Sequence, residues 1–153
     1  MAQIPSNQLL RRVSDALGPT AATMYLERGK QRHFIGEAAI LAVAIYLVGK
    51  YLDGVIEGLG IPDAGKKHGK AIREAIAYGA SVISGDRPPD ETTTRDAESK
   101  LEQVIEDLRT LDLKEAAGNR ARRAVSEDMT TVGIPDFEAD RISDEVAESL
   151  WKH

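Results

Sequence analysis

The chain has 153 residues, of which 42% are hydrophobic and 29% charged, a balance typical of a folded globular protein rather than a disordered one. It contains no cysteine, which excludes disulfides and zinc sites built on thiolates. The net charge of −5 is unevenly distributed: residues 1–89 carry 11 basic and 8 acidic side chains, and residues 90–153 carry 9 and 17. This asymmetry fits self-association or a basic partner, and equally a set of solvated helix faces.

The first part of the chain predicts two short helices. Apolar residues recur at helical spacing up to Leu17, and Gly18-Pro19 interrupts the pattern. A second helix is expected over 20–29. Arg11 and Arg12 stand where a secretory signal needs an apolar run, so we expect a cytoplasmic protein.

Residues 13–29 resemble the helix-turn-helix motif of DNA-binding proteins, with a helix, a Leu-Gly turn and a short second helix. The second helix would present Thr20, Ala21, Thr23 and Met24 to a DNA groove. Few cations accompany these residues, and the whole chain is acidic. We therefore do not expect a nucleic acid partner, and DNA binding is kept only as a further alternative.

A long central helix is expected over 31–58. Residues 38–48 contain no charge, and a helix that is apolar all round must be enclosed by protein or by lipid. The apolar stretch 34–49 is shorter than the roughly 20 residues that span a bilayer, which favours the core of a soluble bundle. The alternative is a membrane-active, pore-forming or membrane-inserting protein that stores the helix 34–59 inside a soluble bundle.

Glycines in the central helix indicate close contact with another helix. Gly36 and Gly54 are five helical turns apart and share a face, and Gly58 follows one turn later. Each interior glycine costs about 1 kcal/mol relative to alanine, and close helix approach is the usual compensation. The predicted interaction face therefore joins Gly36, Gly54 and Gly58 to a ridge of apolar residues on a later helix: Leu101, Val104 and Leu108.

A helix that follows Pro62 and ends at Gly85 carries a basic cluster. Residues 60–66 have the Gly-x4-Gly-Lys spacing of a phosphate-binding loop, but Lys67 occupies the place of the Mg²⁺-binding Ser or Thr and no strand precedes it. Nucleotide hydrolysis is therefore not expected. Exposed cations near a helix start remain candidates for contact with an anion or a lipid head group: Lys66, Lys67, Lys70 and Arg73.

The acidic part of the chain predicts further helices. Residues 86–94 are polar and contain two prolines, which is typical of a linker. Apolar positions over 101–111 keep helical spacing, and the last helix is expected to start near Asp136. Acid pairs such as Glu127 and Asp128 are interpreted as solvated surface.

Together these patterns predict an all-α protein, a compact bundle of five to seven helices around one long, glycine-containing central helix. We expect a single domain over 1–153, with a division into a core 1–85, a linker 86–94 and an acidic part 95–153 left open. No residue is assigned to catalysis, to a cofactor or to a metal, and no small-molecule substrate is identified. The expected role is non-catalytic: binding of a protein partner, or homo-oligomer formation, through helix faces.

Overall fold

The computed structural model describes residues 9–28, 37–59, 62–108 and 115–151, and these residues form an all-α bundle. This confirms the predicted fold class. The described part of the chain contains no strand. Its helices, in chain order, are α1 (Leu9–Arg28), α2 (Glu37–Leu59), α3 (Pro62–Ser84), α4 (Glu91–Leu108), α5 (Glu115–Thr131) and α6 (Asp136–Trp151).

Helix α2 lies at the centre and contacts α1, α3, α4 and α5. Ala39, 42–45, Leu47 and Val48 are buried, as expected for a helix that lacks a polar face. Ala38 is exposed and Ile40, Leu41 and Tyr46 are half-buried, so the uncharged run is largely but not completely enclosed by protein. The predicted central helix is therefore confirmed over the described residues, and its predicted first part, 31–36, lies outside them.

Two glycines set the spacing between α2 and its neighbours. A Cβ atom on Gly54 would lie 2.9 Å from the Cα atom of Ala121 in α5. A Cβ atom on Gly79 of α3 would lie 2.9 Å from the carbonyl oxygen of Ala42 in α2. Because real side chains do not tolerate such distances to backbone atoms, both helices approach α2 closely only where the side chain is absent.

Helix α1 is kinked at Gly18, where φ is 77° and ψ is 161°. This left-handed region is open to glycine and disfavours other residues. Gly18 thus divides α1 into two helical segments, as its sequence predicts. The second segment packs Ala22, Tyr25 and Leu26 into the core.

Hydrogen bonds join α3 to the segment that connects it to α4 and to the first turn of α4. Gly85 (φ 81°) ends α3, and the Asp90 carboxylate accepts hydrogen bonds from the backbone amides of Thr92 and Thr93, which caps α4. The Tyr78 hydroxyl lies 2.6 Å from the Thr94 hydroxyl. Residues 91–94 of the predicted linker are therefore the first turn of α4, and the connecting segment is shorter than the sequence indicated.

The carboxyl-terminal helices follow the apolar pattern. Helix α6 begins at Asp136, as predicted, and buries Ile142, Val146 and Leu150 completely. Gly118 and Asn119 lie inside α5.

Candidate functional site, a groove between α1 and α6

An open groove with a volume of about 570 Å³ lies between the kink of α1 and the start of α6. Buried Leu17, Ala21 and Ile134 contribute to its lining, and half-buried Met24 joins them. The groove lies where Gly18 kinks α1 and where the turn at Gly133 (φ 99°) faces Met24, since a Cβ atom on Gly133 would lie 3.4 Å from the Met24 Cε atom. The result is a concave, largely apolar surface.

Phe137 stands at the edge of this groove with 76% of its surface exposed. It is the one large hydrophobic side chain that is exposed among the described residues. At 100° per residue it lies about 140° from Ile142 and about 180° from Val146 around α6. Phe137 therefore points away from the buried face of its own helix, and no intramolecular packing explains an aromatic residue at this position.

Charged groups lie along the groove on both sides. The Arg141 guanidinium donates a hydrogen bond of 2.6 Å to the Glu138 carboxylate and one of 3.3 Å to the carbonyl oxygen of Ala16. The second bond joins α6 to α1 beside the kink at Gly18. Asp15 also lines the groove and is exposed.

Four residues of the predicted interaction face, Gly54, Leu101, Val104 and Leu108, are buried rather than on the surface, and this is a correction. Leu101, Val104 and Leu108 are buried in the core of the chain itself. Gly54 is buried against Ala121. The spacing of the glycines in α2 and of the apolar residues in α4 correctly indicated contact between helices. The contacting helices, however, belong to the same chain. Gly58 is half-buried at the end of α2, and Gly36 lies outside the described residues.

The basic residues of α3 are exposed as predicted: Lys66, Lys67, Lys70 and Arg73. The Lys67 ammonium lies 3.3 Å from the Asp107 carboxylate of α4. His68, only 7% exposed, approaches the same carboxylate at 3.5 Å. Part of the cluster is thus occupied in holding α3 to α4, and contact with an anion or a lipid head stays a prediction.

The segment that resembles a helix-turn-helix forms one wall of the groove. Thr20 is exposed, Thr23 and Met24 are half-buried, and Ala21 is 6% exposed. The charged residues that line this groove are Asp15, Glu138 and Arg141, two acids and one base, and this is not the basic surface that phosphate binding favours. DNA binding stays a prediction.

A separate polar cluster joins α1, α2 and α5 beneath the surface. The Tyr25 hydroxyl donates a 2.7 Å hydrogen bond to the Asp128 carboxylate, and the Tyr46 hydroxyl donates one of 2.9 Å. The interpretation of Asp128 as a solvated acid is therefore wrong, although its neighbour Glu127 is exposed. The sequence offered no signal for this cluster, because its three members lie up to 103 residues apart.

Burial, together with the negative charge of Asp128, raises the pKa of Tyr25 and of Tyr46 far above its usual value. Both phenols therefore stay protonated at neutral pH and serve as hydrogen-bond donors. The arrangement fastens three helices together, and neither phenol is disposed to act as a base.

No group of three or more potential metal-ligating side chains occurs within the described ranges. The chain matches no protein family, no curated protein and no solved structure. The assignment of function therefore depends on the geometry of the chain alone.

Proposed function

We propose that the protein is a non-catalytic helical module that binds another protein through the groove between α1 and α6. The observation that carries this proposal is Phe137, which is 76% exposed beside an apolar concave surface. Exposed aromatic residues next to a groove are typical of protein contact sites, where they act as anchors. The predicted role, binding through helix faces, is kept, and its location moves from the buried ridge to this groove.

The polar clusters of the bundle support a non-catalytic role. Tyr25 and Tyr46 are held as donors to one carboxylate. His68 is buried between α3 and α4, away from the groove. A general acid or base must reach a substrate in a cleft, and each of these groups is instead occupied in joining helices.

Selection of binding peptides tests this function and does not require an identified partner. A displayed library of helical peptides would be selected on the protein, and each binder then measured against Phe137→Ser and Phe137→Leu. We expect most binders to lose affinity for Phe137→Ser by about tenfold or more, as for an anchor residue, and to retain it for Phe137→Leu. Peptides whose affinity is unchanged by both substitutions would contradict the proposal.

Light scattering tests whether the groove binds a second copy of this chain or a different protein. If the groove mediates self-association, the mass of the native particle exceeds that of one chain and falls in Phe137→Ser. A monomer at all concentrations assigns the groove to a different protein.

A second candidate function is insertion into a membrane. Within the described residues, Ala38–Gly58 of α2 is long and apolar enough to cross a bilayer, and 67% of its most apolar part is buried. A buried core helix of a soluble bundle can have the same length and hydropathy. A leakage assay with lipid vesicles decides between insertion and a permanently enclosed core helix. Release of the vesicle contents would favour insertion. Protein that stays in the soluble fraction and causes no leakage at any pH would exclude insertion.

A further inference from the structure

Asp15 occupies an electrostatically unfavourable place beside the groove. It lies two residues before Leu17, in the last turn of the helical segment that ends at Gly18. The partial negative charge at the end of a helix disfavours a carboxylate there. Arg11 and Arg12 lie one turn earlier, but no ion pair joins either of them to Asp15 in the part of the chain that the structure describes. Asp15 is therefore an exposed carboxylate that forms no ion pair with any described residue.

Arg141, the cation on the opposite wall, forms its ion pair with Glu138 and not with Asp15. The Arg141 guanidinium is bound to Glu138 and to the carbonyl oxygen of Ala16, so its donors are directed along α6 and towards the kink. Asp136, between the groove residues Pro135 and Phe137, is exposed and adds a second carboxylate. Asp136 benefits from its place in the first turn of α6. The groove is thus lined mostly by apolar residues, and its charged lining residues, Asp15, Glu138 and Arg141, carry two negative charges and one positive charge.

The dimensions and walls of the groove suit a helix. The groove follows α1 across its kink, from Asp15 to Met24, and has a volume of about 570 Å³. An open groove of this kind admits the apolar side chains along one face of a short helix. An extended peptide would need a sheet edge for its backbone hydrogen bonds, and the described ranges contain no strand.

We propose that the groove between α1 and α6 binds an amphipathic helix of a partner protein, with two or three apolar anchors against Met24 and Phe137 and a Lys or Arg flank facing Asp15. The inference depends on the proposed function and specifies the chemistry of its partner. Apolar anchors at i, i+3 or i+4, and i+7 would contact the base. The Lys or Arg side chains of the basic flank would form an ion pair with the Asp15 carboxylate.

Two synthetic peptides test this pairing. Both carry leucine at i, i+3, i+4 and i+7; one has lysine at its remaining positions and the other glutamate. Affinity is measured by fluorescence anisotropy against the wild type, Asp15→Asn and Phe137→Ser. The matched control is Asp53→Asn, since Asp53 is exposed on α2 and forms no ion pair with any described residue.

We expect the lysine peptide to bind the wild type more tightly than the glutamate peptide does. Asp15→Asn should weaken that binding about two- to fivefold, the range of an exposed ion pair, and the difference should vanish at about 1 M salt. Phe137→Ser should weaken it about tenfold or more. Asp53→Asn should leave it unchanged. Because all three residues are exposed, the variants retain the fold, and circular dichroism checks this.

The outcomes separate this inference from the function on which it rests. Equal binding of both peptides, sensitive to Phe137→Ser, would keep the groove as a docking site and overturn the basic flank. If Asp15→Asn and Asp53→Asn weaken binding of the lysine peptide equally, the peptide is attracted by the net negative charge of the whole protein. This result would also overturn the proposal of a basic flank that faces Asp15. Binding of neither peptide, or binding indifferent to Phe137→Ser, would overturn both proposals.

Discussion

Gly54 of α2 lies against Ala121 of α5 so closely that a Cβ atom on Gly54 would be 2.9 Å from the Ala121 Cα atom. Backbone cannot yield as the end of a flexible side chain can. The two helices therefore meet at a distance that only glycine permits, and this contact holds the acidic part of the chain onto the central helix.

Gly54→Ala should lower the free energy of unfolding by about 1–3 kcal/mol, because α5 must move away from α2. Gly69→Ala is the matched control. Its Cβ atom would meet only the Arg73 guanidinium, at 3.1 Å, and the substitution should stabilise α3 by up to about 1 kcal/mol. Urea unfolding measures both. A Gly54→Ala protein as stable as the wild type would show that the two helices are not in tight contact.

Asp128→Asn should destabilise the protein by about 1–3 kcal/mol. The substitution removes the charge that accepts hydrogen bonds from Tyr25 and Tyr46, and an amide offers only one oxygen to two donors. Glu127→Gln, at the exposed neighbouring position, should change stability by less than about 0.5 kcal/mol. If the two variants unfold at the same urea concentration, Asp128 is not the structural acceptor described above.

Stability should fall in alkaline solution. Burial raises the pKa of Tyr51 to about 12, and burial beside Asp128 raises that of Tyr25 further. A group whose pKa is higher in the folded state than in the unfolded one stabilises the fold below the unfolded pKa. That contribution is lost as the pH rises from about 10. Unfolding measured between about pH 9 and 12 should show the decline, and Tyr51→Phe should reduce its slope. A stability independent of pH in this range would show that these phenols are accessible to water.

Stability should also fall in mild acid because of His68. Burial lowers the pKa of its imidazole, and nearby Lys67 lowers it further; the Asp107 carboxylate opposes the shift but does not overcome burial. A lowered pKa means that the unfolded chain binds the proton more tightly, so stability is complete above about pH 6.5 and declines below it. His68→Gln should flatten this dependence.

The His68 titration itself provides the control for the preceding prediction. Followed by NMR, its pKa should decrease in Asp107→Asn, because the opposing carboxylate is gone. A pKa at or above the usual value in the wild type would contradict the account.

The helices could be predicted because apolar spacing reports which face of a helix is buried. The sequence alone predicted three features of the fold: the uncharged run of α2, the start of α6 at Asp136 and the interruption of α1 at Gly18. Periodicity does not report which helix covers that face. Leu101 and Gly54 were therefore assigned to an external partner, although α4 and α5 pack them against α2 of the same chain.

The groove could have been found only in part. Phe137 lies nearly opposite Val146 on α6, so its position off the apolar stripe marks it as an unpaired aromatic residue. The surface that it borders depends on how α1 and α6 meet, which no local pattern contains. Asp128 was unpredictable for the same reason, since its two partners come from α1 and α2.

Hydrogen exchange of the α2 backbone amides, with and without vesicles of anionic lipid, tests most directly whether α2 is the permanently enclosed core of the bundle. We predict that amides over 42–52 exchange only through global unfolding, at the same rate in both samples, since all of these residues except Tyr46 and Lys50 are buried and α2 contacts four other helices. Rapid exchange over 42–52 in water, or protection that changes when vesicles are added, would contradict it.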